Sequence, residues 1–233
     1  MDRTNIRKRI RNTLIASCQS SEGNPLFTKE HMLLLAECSH VPGCSGYRID
    51  SPEHIRYIRN RIRDRLVIGT WKKAYPGYDV IITPTMEEVD AVMGEHVDII
   101  AIDGTFRPAP GTENGVQRIA AARKTYPDAV IMADISTCEE ALEACRAGAD
   151  LIATTLRGYT ADTENQSAEE IDLPFIREVS SRISCGLIAE GKIWTREQAR
   201  AALQNGADAV VVGTALNNPK LITERFVNFL EDL

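Results

Sequence analysis

Short apolar segments alternate with amphipathic ones along most of the chain. Eight segments are continuously apolar, which is typical of parallel strands that are covered on both faces. A helical spacing of apolar positions follows each of them. We therefore predict eight strand–helix units, with strands at Thr13–Cys18, Gly46–Ile49, Leu66–Trp71, Asp98–Ile102, Ala129–Ala133, Asp150–Thr154, Gly186–Ala189 and Asp208–Val212.

A repeated unit supports this division. Thr137–Thr155 and Thr195–Thr214 share the form T-x-E-[EQ]-A, an alanine-rich stretch, G-A-D and a β-branched run, and Thr85–Thr105 is a degraded copy. The first threonine is typical of a helix N-cap, with acidic residues in the first turn. Gly148 and Gly206 stand where each helix must end, and the aspartate after each opens a strand. Each unit therefore predicts one helix and the strand that follows it.

Eight strand–helix units in 233 residues have the size of a compact (β/α)8 or TIM barrel. We expect a single domain over residues 1–233, with a long polar loop at Thr160–Glu170 after the sixth strand. A doubly wound open sheet is the alternative. It normally carries a G-x-G-x-x-G turn after its first strand, and the sequence after Cys18 is Q-S-S.

Composition and charge exclude several classes of protein. The 27 Lys+Arg and 33 Asp+Glu give a net charge of −6, which argues against a nucleic-acid partner. No apolar run approaches the ~18–20 residues that a membrane span needs, and the amino-terminal segment does not have the pattern of a secretory signal. We therefore expect a cytoplasmic protein. The six cysteines and four histidines show no metal-ligand spacing, so we expect reduced thiols and no metal.

Polar and ionisable residues stand at the carboxyl ends of the predicted strands, where TIM barrels place their active sites. Lys72 and Glu190 follow the third and seventh strands. A lysine acts as a base at neutral pH when burial or a nearby cation such as Arg48 lowers its pKa. Without a cofactor motif, this set favours proton transfer next to a carbonyl, and a Schiff base on Lys72 is the competing role. The other strand ends are Cys18–Gln19, Arg48, Asp103, Asp134, Thr154–Thr155 and Gly213–Thr214.

The two glycines after the last strands indicate a ligand. Gly191 and Gly213 let the backbone approach an anion in the loops where these barrels commonly bind phosphate. Arg48, Lys72 and Lys192 would make the mouth of the barrel locally positive. The sequence therefore predicts a barrel of the phosphate-binding type with a phosphorylated small molecule as ligand.

The chain resembles the N-acetylmannosamine-6-phosphate 2-epimerases, the NanE-type enzymes of amino-sugar and sialic acid degradation. The resemblance covers essentially the whole chain in order. It implies a cofactor-independent isomerase that interconverts N-acetylmannosamine 6-phosphate and N-acetylglucosamine 6-phosphate on a (β/α)8 barrel; a homodimer is left open. The segments that carry the resemblance are LIASCQSSEGNPL, GYRIDSPEHI, IGTWKKAYPGYDVIITPTMEEVDA, DIIAIDGTFRPAP, MADISTCEEAL, ATTLRGYT, IAEGKI and GADAVVVGTAL.

The same resemblance implies roles for individual residues. Lys72, in the I-G-x-x-K segment, would remove the C2 proton, and Glu190, in A-E-G-[RK]-I, would be its acidic partner. A second set would hold the sugar and its N-acetyl group, and a third would meet the phosphate. The sugar-binding set is Gln19, Arg48, Asp134 and Thr155, and the phosphate-binding set is Gly191, Gly213 and Thr214.

Two departures from the family pattern concern the phosphate. The family pattern G-G-A-I-T-R-P reads G-T-A-L-N-N-P here, so that Asn218 replaces an arginine. The pattern T-L-S-G-Y-T reads T-L-R-G-Y-T, and Arg157 either restores the missing charge or is a solvated loop cation. Two further functions stay open on these grounds: another sugar-phosphate isomerase or lyase, and a non-catalytic sugar-phosphate-binding protein.

Overall fold

Eight parallel strands close into a barrel in chain order, and the last strand pairs with the first. The TIM-barrel fold predicted from the sequence is thereby confirmed. The computed structural model describes residues 3–20, 23–164 and 170–231. The strands are β1 (Thr13–Cys18), β2 (Cys44–Asp50), β3 (Leu66–Thr70), β4 (Ile99–Asp103), β5 (Val130–Asp134), β6 (Leu151–Ala153), β7 (Gly186–Glu190) and β8 (Ala209–Val212).

Three of the helices that surround the barrel begin where the repeat in the sequence predicts. Thr85, Thr137 and Thr195 each cap a helix, and in each case the residue three positions later completes a capping box. The helices are α1 (Ile6–Ile10), α2 (Lys29–Cys38), α3 (Pro52–Arg59), α4 (Met86–Met93), α5 (Gly115–Thr125), α6 (Cys138–Ala147), α7 (Leu173–Arg182), α8 (Arg196–Gln204), α9 (Thr214–Asn217) and α10 (Pro219–Glu231).

The aspartate that opens a strand in each repeat also joins that strand to the one before it. Asp98, Asp150 and Asp208 each accept a hydrogen bond from the backbone N–H of the preceding strand, at 2.9, 2.9 and 3.0 Å. Gly148 lies at the end of α6 with φ of 108°, in the left-handed region that favours glycine. The repeat therefore fixes both the end of a helix and the start of its strand.

Two apolar layers fill the molecule. The inner layer consists of side chains that point into the barrel, such as Ile68, Met132 and Val211, and Ile6 and Ile10 of the first helical segment close its amino-terminal end. The outer layer lies between the strands and the helices around them. Because the interior is packed, the opposite, carboxyl-terminal end of the barrel is left to hold a ligand.

Two details differ from the sequence prediction. Asp103, Asp134 and Glu190 are the last residues of their strands, not the first residues of loops, so pairing with neighbouring strands fixes their backbone. The sulfur atoms of Cys145 and Cys185 are bonded, with Cα atoms 6.1 Å apart, so the expectation of six free thiols is wrong for this pair.

Residues 165–169 of the predicted polar loop lie outside the described residues. Among the helices that the structure describes, none has the length and the apolar composition that a bilayer crossing requires.

Candidate active site

A large cavity opens at the carboxyl ends of the strands, with a volume of about 1200 Å³. Strands from around the barrel contribute to its lining, so residues far apart in the sequence face one space. Ten residues were given catalytic, sugar-binding or phosphate-binding roles from the sequence, and eight of them line it: Gln19, Arg48, Lys72, Thr155, Glu190, Gly191, Gly213 and Thr214. Asp134 lies behind this surface, fully buried, and Arg157 lines a small separate cavity behind Glu190 and Gly191.

Arg48 organises the floor of the cavity. Its guanidinium donates to both oxygens of Asp134, at 2.9 and 2.6 Å, to Glu190 at 2.5 Å and to the Thr155 hydroxyl at 3.1 Å. The Thr155 hydroxyl in turn donates to Asp134. Burial alone would lower the pKa of Arg48, but the two carboxylates outweigh this effect and raise it. Arg48 is therefore a permanent cation that holds two carboxylates in fixed positions.

Glu190 lies at the end of β7, where the Thr154 hydroxyl bridges its backbone. That hydroxyl accepts from the Glu190 N–H at 3.0 Å and donates to the Glu190 carbonyl at 2.9 Å. Burial raises the pKa of the Glu190 carboxyl, the Arg48 charge opposes this, and the neighbouring Asp134 adds to the increase. The result is a carboxyl group that is more readily protonated than an exposed glutamate, as an acid catalyst requires.

Lys72 follows β3, and its backbone N–H donates to the Asp50 carboxylate at 2.8 Å. The side chain is accessible from the open mouth, but protein surrounds it on its other sides. This burial lowers the pKa of Lys72; Asp50 opposes the decrease, and Arg48 adds to it. A larger share of Lys72 is therefore neutral near pH 7 than of an exposed lysine, and a neutral amine can accept a proton.

Lys73, the adjacent lysine, faces a different environment. Its ammonium group pairs with Glu87 at 3.2 Å and with Glu88 at 3.1 Å, both on α4, and lies over the ring of Trp71. Side-chain hydrogen bonds, that of Glu88 first, raise the pKa of Lys73. It does not line the cavity. Because successive side chains after a strand point to opposite sides, Lys72 faces the mouth and Lys73 faces the helix layer.

The loops after β7 and β8 form one side of the cavity. Gly191 has φ of 100°, which only glycine adopts readily. Gly213 precedes α9, and the first N–H groups of this helix, from Thr214 and Ala215, have no acceptor within it. Asn217 is buried and donates to the Ser17 carbonyl at 2.9 Å, which holds α9 against β1.

Arg157 lies outside the mouth. Its guanidinium pairs with Asp172 at 3.0 Å and stacks over the ring of Phe175, 4.2 Å from the ring centre. Asp103, another strand-end residue, is also engaged elsewhere, in ion pairs with Arg107 and Arg118. A position at the carboxyl end of a strand is therefore not enough to place a side chain in the cavity. Ion pairs with residues of the helix layer hold Arg157 and Asp103 away from it.

Several lining residues were not singled out from the sequence. Trp194 and Tyr159 line the cavity with Lys192, whose ammonium group lies over the Tyr159 ring at 4.9 Å. Arg225, from α10, also lines it and stacks on Trp194 at 4.4 Å. Asp50, beside Lys72, was missed as well, although its position at the end of the second strand could have indicated it.

Comparison with known proteins indicates one family for the chain. A family model described as "Putative N-acetylmannosamine-6-phosphate epimerase" (NanE) matches residues 32–232. A protein of Shouchella clausii is 43% identical over 96% of this chain and 98% of its own length. A protein of Caldanaerobacter subterraneus is 42% identical over 97% of this chain and 94% of its own. Both carry the name "Putative N-acetylmannosamine-6-phosphate 2-epimerase".

Solved structures show the same likeness. The N-acetylmannosamine-6-phosphate 2-epimerase from Clostridium perfringens superposes with a TM-score of 0.90 at 31% identity, covering 96% of each chain. A thiamine phosphate pyrophosphorylase from Pyrococcus furiosus, at 19% identity and a TM-score of 0.63, shares the fold alone. By the match to the family model and by relatives above 40% identity over nearly its full length, the chain belongs to the N-acetylmannosamine-6-phosphate 2-epimerase family.

Proposed function

We propose that this protein epimerises C2 of N-acetylmannosamine 6-phosphate to give N-acetylglucosamine 6-phosphate, in the degradation of amino sugars such as sialic acid. The observation that carries the proposal is the cavity that Lys72, Glu190 and the Arg48 cation share. The names of the relatives support the substrate. A phosphorylated sugar does not cross a bilayer unaided because of its charge, so we place the reaction in the cytoplasm.

The chemistry follows from the groups that line the cavity. In the open-chain sugar, the C1 aldehyde acidifies the hydrogen on C2. Neutral Lys72 takes this proton, and the electron pair moves into the enolate of the C1 aldehyde, whose oxygen on C1 is stabilised by a cation such as Arg48. Glu190 donates and accepts the proton on the sugar oxygen during ring opening and closure. Return of a proton to the other face of C2 inverts the centre, with no net change in atoms or electrons.

The sugar and its phosphate would lie on opposite sides of the cavity. Gln19, Arg48 and Thr155 offer donors and acceptors to the hydroxyl and N-acetyl groups, and Asp134 acts through Arg48. Gly191, Gly213 and Thr214 lie where the backbone can meet the phosphate. The reaction uses no metal or nucleotide, because acid, base and charge stabilisation are all supplied by side chains.

The experiment that tests this function follows deuterium at C2 during turnover in D₂O. We expect solvent deuterium in the product, unchanged turnover after exhaustive chelation, and a loss of ~10²–10⁴-fold in kcat for Lys72→Met, because the base is removed. Lys73→Met is the matched control and should retain turnover. Equal losses from the two variants, or epimerisation without any deuterium uptake, would contradict the mechanism.

A lyase is the second candidate, and the lowered pKa of Lys72 is the observation that favours it, since a neutral amine also forms Schiff bases. Borohydride reduction in the presence of the sugar phosphate separates the two functions. A covalent adduct on Lys72 would establish the lyase, and its absence together with deuterium uptake establishes the epimerase.

We also propose that the protein is a homodimer in which the C-terminal helices are exchanged. The apolar residues of α10 include Phe226, Phe229 and Leu230, which are 68%, 74% and 61% exposed. Their spacing of three and four residues places them on one face of the helix. An apolar helix face this exposed requires a partner in water.

A groove in the same barrel fits such a helix. It has a volume of about 600 Å³ and lies over β8 and β1, lined by Val210, Leu14, and Leu203 of α8. This is the position that a barrel's last helix covers. No residue of α10 that the structure describes lines it. The groove is therefore open to an amphipathic helix.

The connection to α10 favours a helix from a second copy. Asn218 alone separates α9 from α10, and it caps α10 through its side chain, which accepts from the Leu221 N–H at 3.2 Å. Asn217 fixes α9 to the Ser17 carbonyl. The direction of α10 away from its own groove is thus set by a short and anchored turn, and two copies can fill each other's grooves.

A further inference from the structure

The buried charges of the mouth leave a phosphate to the cations at its rim, of which Lys192 is one. Arg48 is already shared by the carboxylates of Asp134 and Glu190, so this buried set is neutral at best and negative when both are ionised. Lys72 must be neutral to act as a base. A phosphate dianion therefore depends on cations at the rim of the cavity. Asn218, where the family pattern has an arginine, supplies none.

Arg225 is a cation in the right place. It lines the same cavity as Gly191 and Gly213, and its guanidinium lies 4.4 Å from the centre of the Trp194 ring, three residues beyond Gly191. Stacking on an indole holds the charge in place while its N–H donors stay free in the plane of the guanidinium. The side chain is thus held beside the loop after β7.

The geometry of α10 relates Arg225 to Asn218, the position at which the family pattern has an arginine. Arg225 is seven residues after Asn218, two turns along the same face of α10. Side chains of a helix tilt toward its N-terminus, so the long arginine side chain extends back toward Asn218. Asn218 and Arg225 both line the cavity, so a guanidinium from position 225 enters the same space as one from position 218 would.

Other charges do not compete for this guanidinium. Among the side chains that the structure describes, no carboxylate lies within 4.0 Å of Arg225, and the nearby Glu224 pairs with Lys220 at 3.8 Å. Arg157, by contrast, is paired with Asp172. Of these two arginines, Arg225 is the one that lines the cavity and has donors for an anion.

We propose that Arg225, stacked on Trp194, binds the phosphate of the substrate in place of the arginine that Asn218 replaces. This inference rests on the proposed function for its substrate, but it concerns the binding of the anion. Arg225 is therefore a specificity-determining residue: it selects phosphorylated over unphosphorylated sugar, and it takes no part in the proton transfer at C2.

The first experiment measures phosphate binding without turnover. Inorganic phosphate is titrated against the intact protein carrying Trp71→Phe, so that Trp194 is the single tryptophan and its fluorescence reports the site. We expect a saturable change, and Arg225→Met should weaken the affinity about tenfold or more, because a charge-assisted contact is lost while the apolar stem still covers the indole. Lys220→Met, on the same helix, is the matched control.

The second experiment uses the phosphorylated sugar. Arg225→Met should raise KM about tenfold or more and leave kcat within a few-fold, and Asn218→Arg introduced into the same chain should restore KM. A mass measurement on each variant confirms that the assembly is unchanged. Unaltered phosphate affinity and KM in Arg225→Met, or the same loss in Lys220→Met, would overturn the proposal.

The outcomes separate this inference from the proposed function. If the protein binds phosphate through Arg225 but epimerises nothing, the function is wrong and the anion site stands. If it epimerises the sugar phosphate and Arg225→Met changes neither constant, the function stands and the assignment of Arg225 is wrong.

Discussion

At the residue scale, opposite charges hold the side chains of the site in place and shift one another's pKa. Arg48 holds Asp134 and Glu190 in one hydrogen-bonded set, and Lys72 lies in the same mouth beside Asp50. Removing one partner of such a buried set leaves an uncompensated charge, which costs more than the pair itself contributes. The conservative change is therefore one that keeps the hydrogen bond and removes the charge.

Asp50→Asn is such a change, and it should shift the pH dependence of turnover. The Asp50 charge raises the pKa of Lys72 against the decrease that burial and Arg48 cause. Without it, the pKa of Lys72 falls further, so the neutral base persists to lower pH and the acidic limb of kcat moves to lower pH. Asparagine retains an oxygen that accepts the Lys72 N–H.

The measurement is kcat against pH for Asp50→Asn beside Glu53→Gln, an exposed carboxylate on α3 that pairs with Lys29. The control should keep the unmodified profile. A shift of the acidic limb to higher pH in Asp50→Asn would show that Lys72 is not the group that titrates there.

At the element scale, the repeats of helix and strand are stabilised by their caps. The Thr137 hydroxyl accepts from the Glu140 N–H at 3.2 Å, and the Glu140 carboxylate accepts from the Thr137 N–H at 2.9 Å. Glu140 also accepts from the Phe106 N–H at 3.0 Å, so the cap of α6 reaches the loop after β4. A local sequence signal thus also stabilises contacts between units.

Thr137→Ala should lower the free energy of unfolding by about 1 kcal/mol, in the range typical of lost N-caps, because the Glu140 N–H loses its acceptor. The measurement is the urea midpoint with the slope checked for constancy. Thr125→Ala is the matched control, since the exposed Thr125 hydroxyl donates only to a carbonyl one turn earlier in its own helix. Equal decreases in the two variants would argue against a special contribution of the cap.

At the scale of the whole molecule, the last helix, α10, does not cover the groove over the closing strands of its own barrel. The barrel closes between β8 and β1, but α10 turns its apolar face outward and a groove lies over the closing strands. This arrangement is what supports the exchange of helices between two copies. It also places Arg225 at the mouth of its own barrel, where the largely exposed Phe226 and Phe229 of the same helix line the cavity as well.

The proposed homodimer predicts the mass in solution. Wild-type protein should have the mass of two chains by light scattering, and Leu203→Glu in the groove or Phe226→Ser with Phe229→Ser on α10 should give single chains. Mixing the groove variant with the helix variant should restore a dimer, because one intact helix and one intact groove then meet. Leu34→Ser, at another exposed apolar position on α2, is the control.

A wild-type mass of one chain would contradict the homodimer. A dimer that survives Leu203→Glu would contradict the exchange of helices and place the interface on another surface.

The sequence by itself determined the barrel, its eight strands and the polar residues at the strand ends that line its mouth. It could do so because the apolar period, the caps and the G-A-D turns are local, and parallel strand ends must meet at one edge. The alternation of side chains after a strand, which directs Lys72 and Lys73 to different sides, is also a local rule.

Only the tertiary structure decided which of those groups act together. Arg157 pairs with Asp172 and Asp103 with Arg118, while Asp50 accepts the Lys72 N–H and Arg225 lines the mouth. Such ion pairs, hydrogen bonds and stacking depend on distances between elements far apart in the chain. The direction of α10 is likewise set by a turn whose anchor, the Ser17 carbonyl, lies 200 residues away in the sequence. Spacing along the chain carries no information about such contacts, since they depend on how the elements pack in three dimensions.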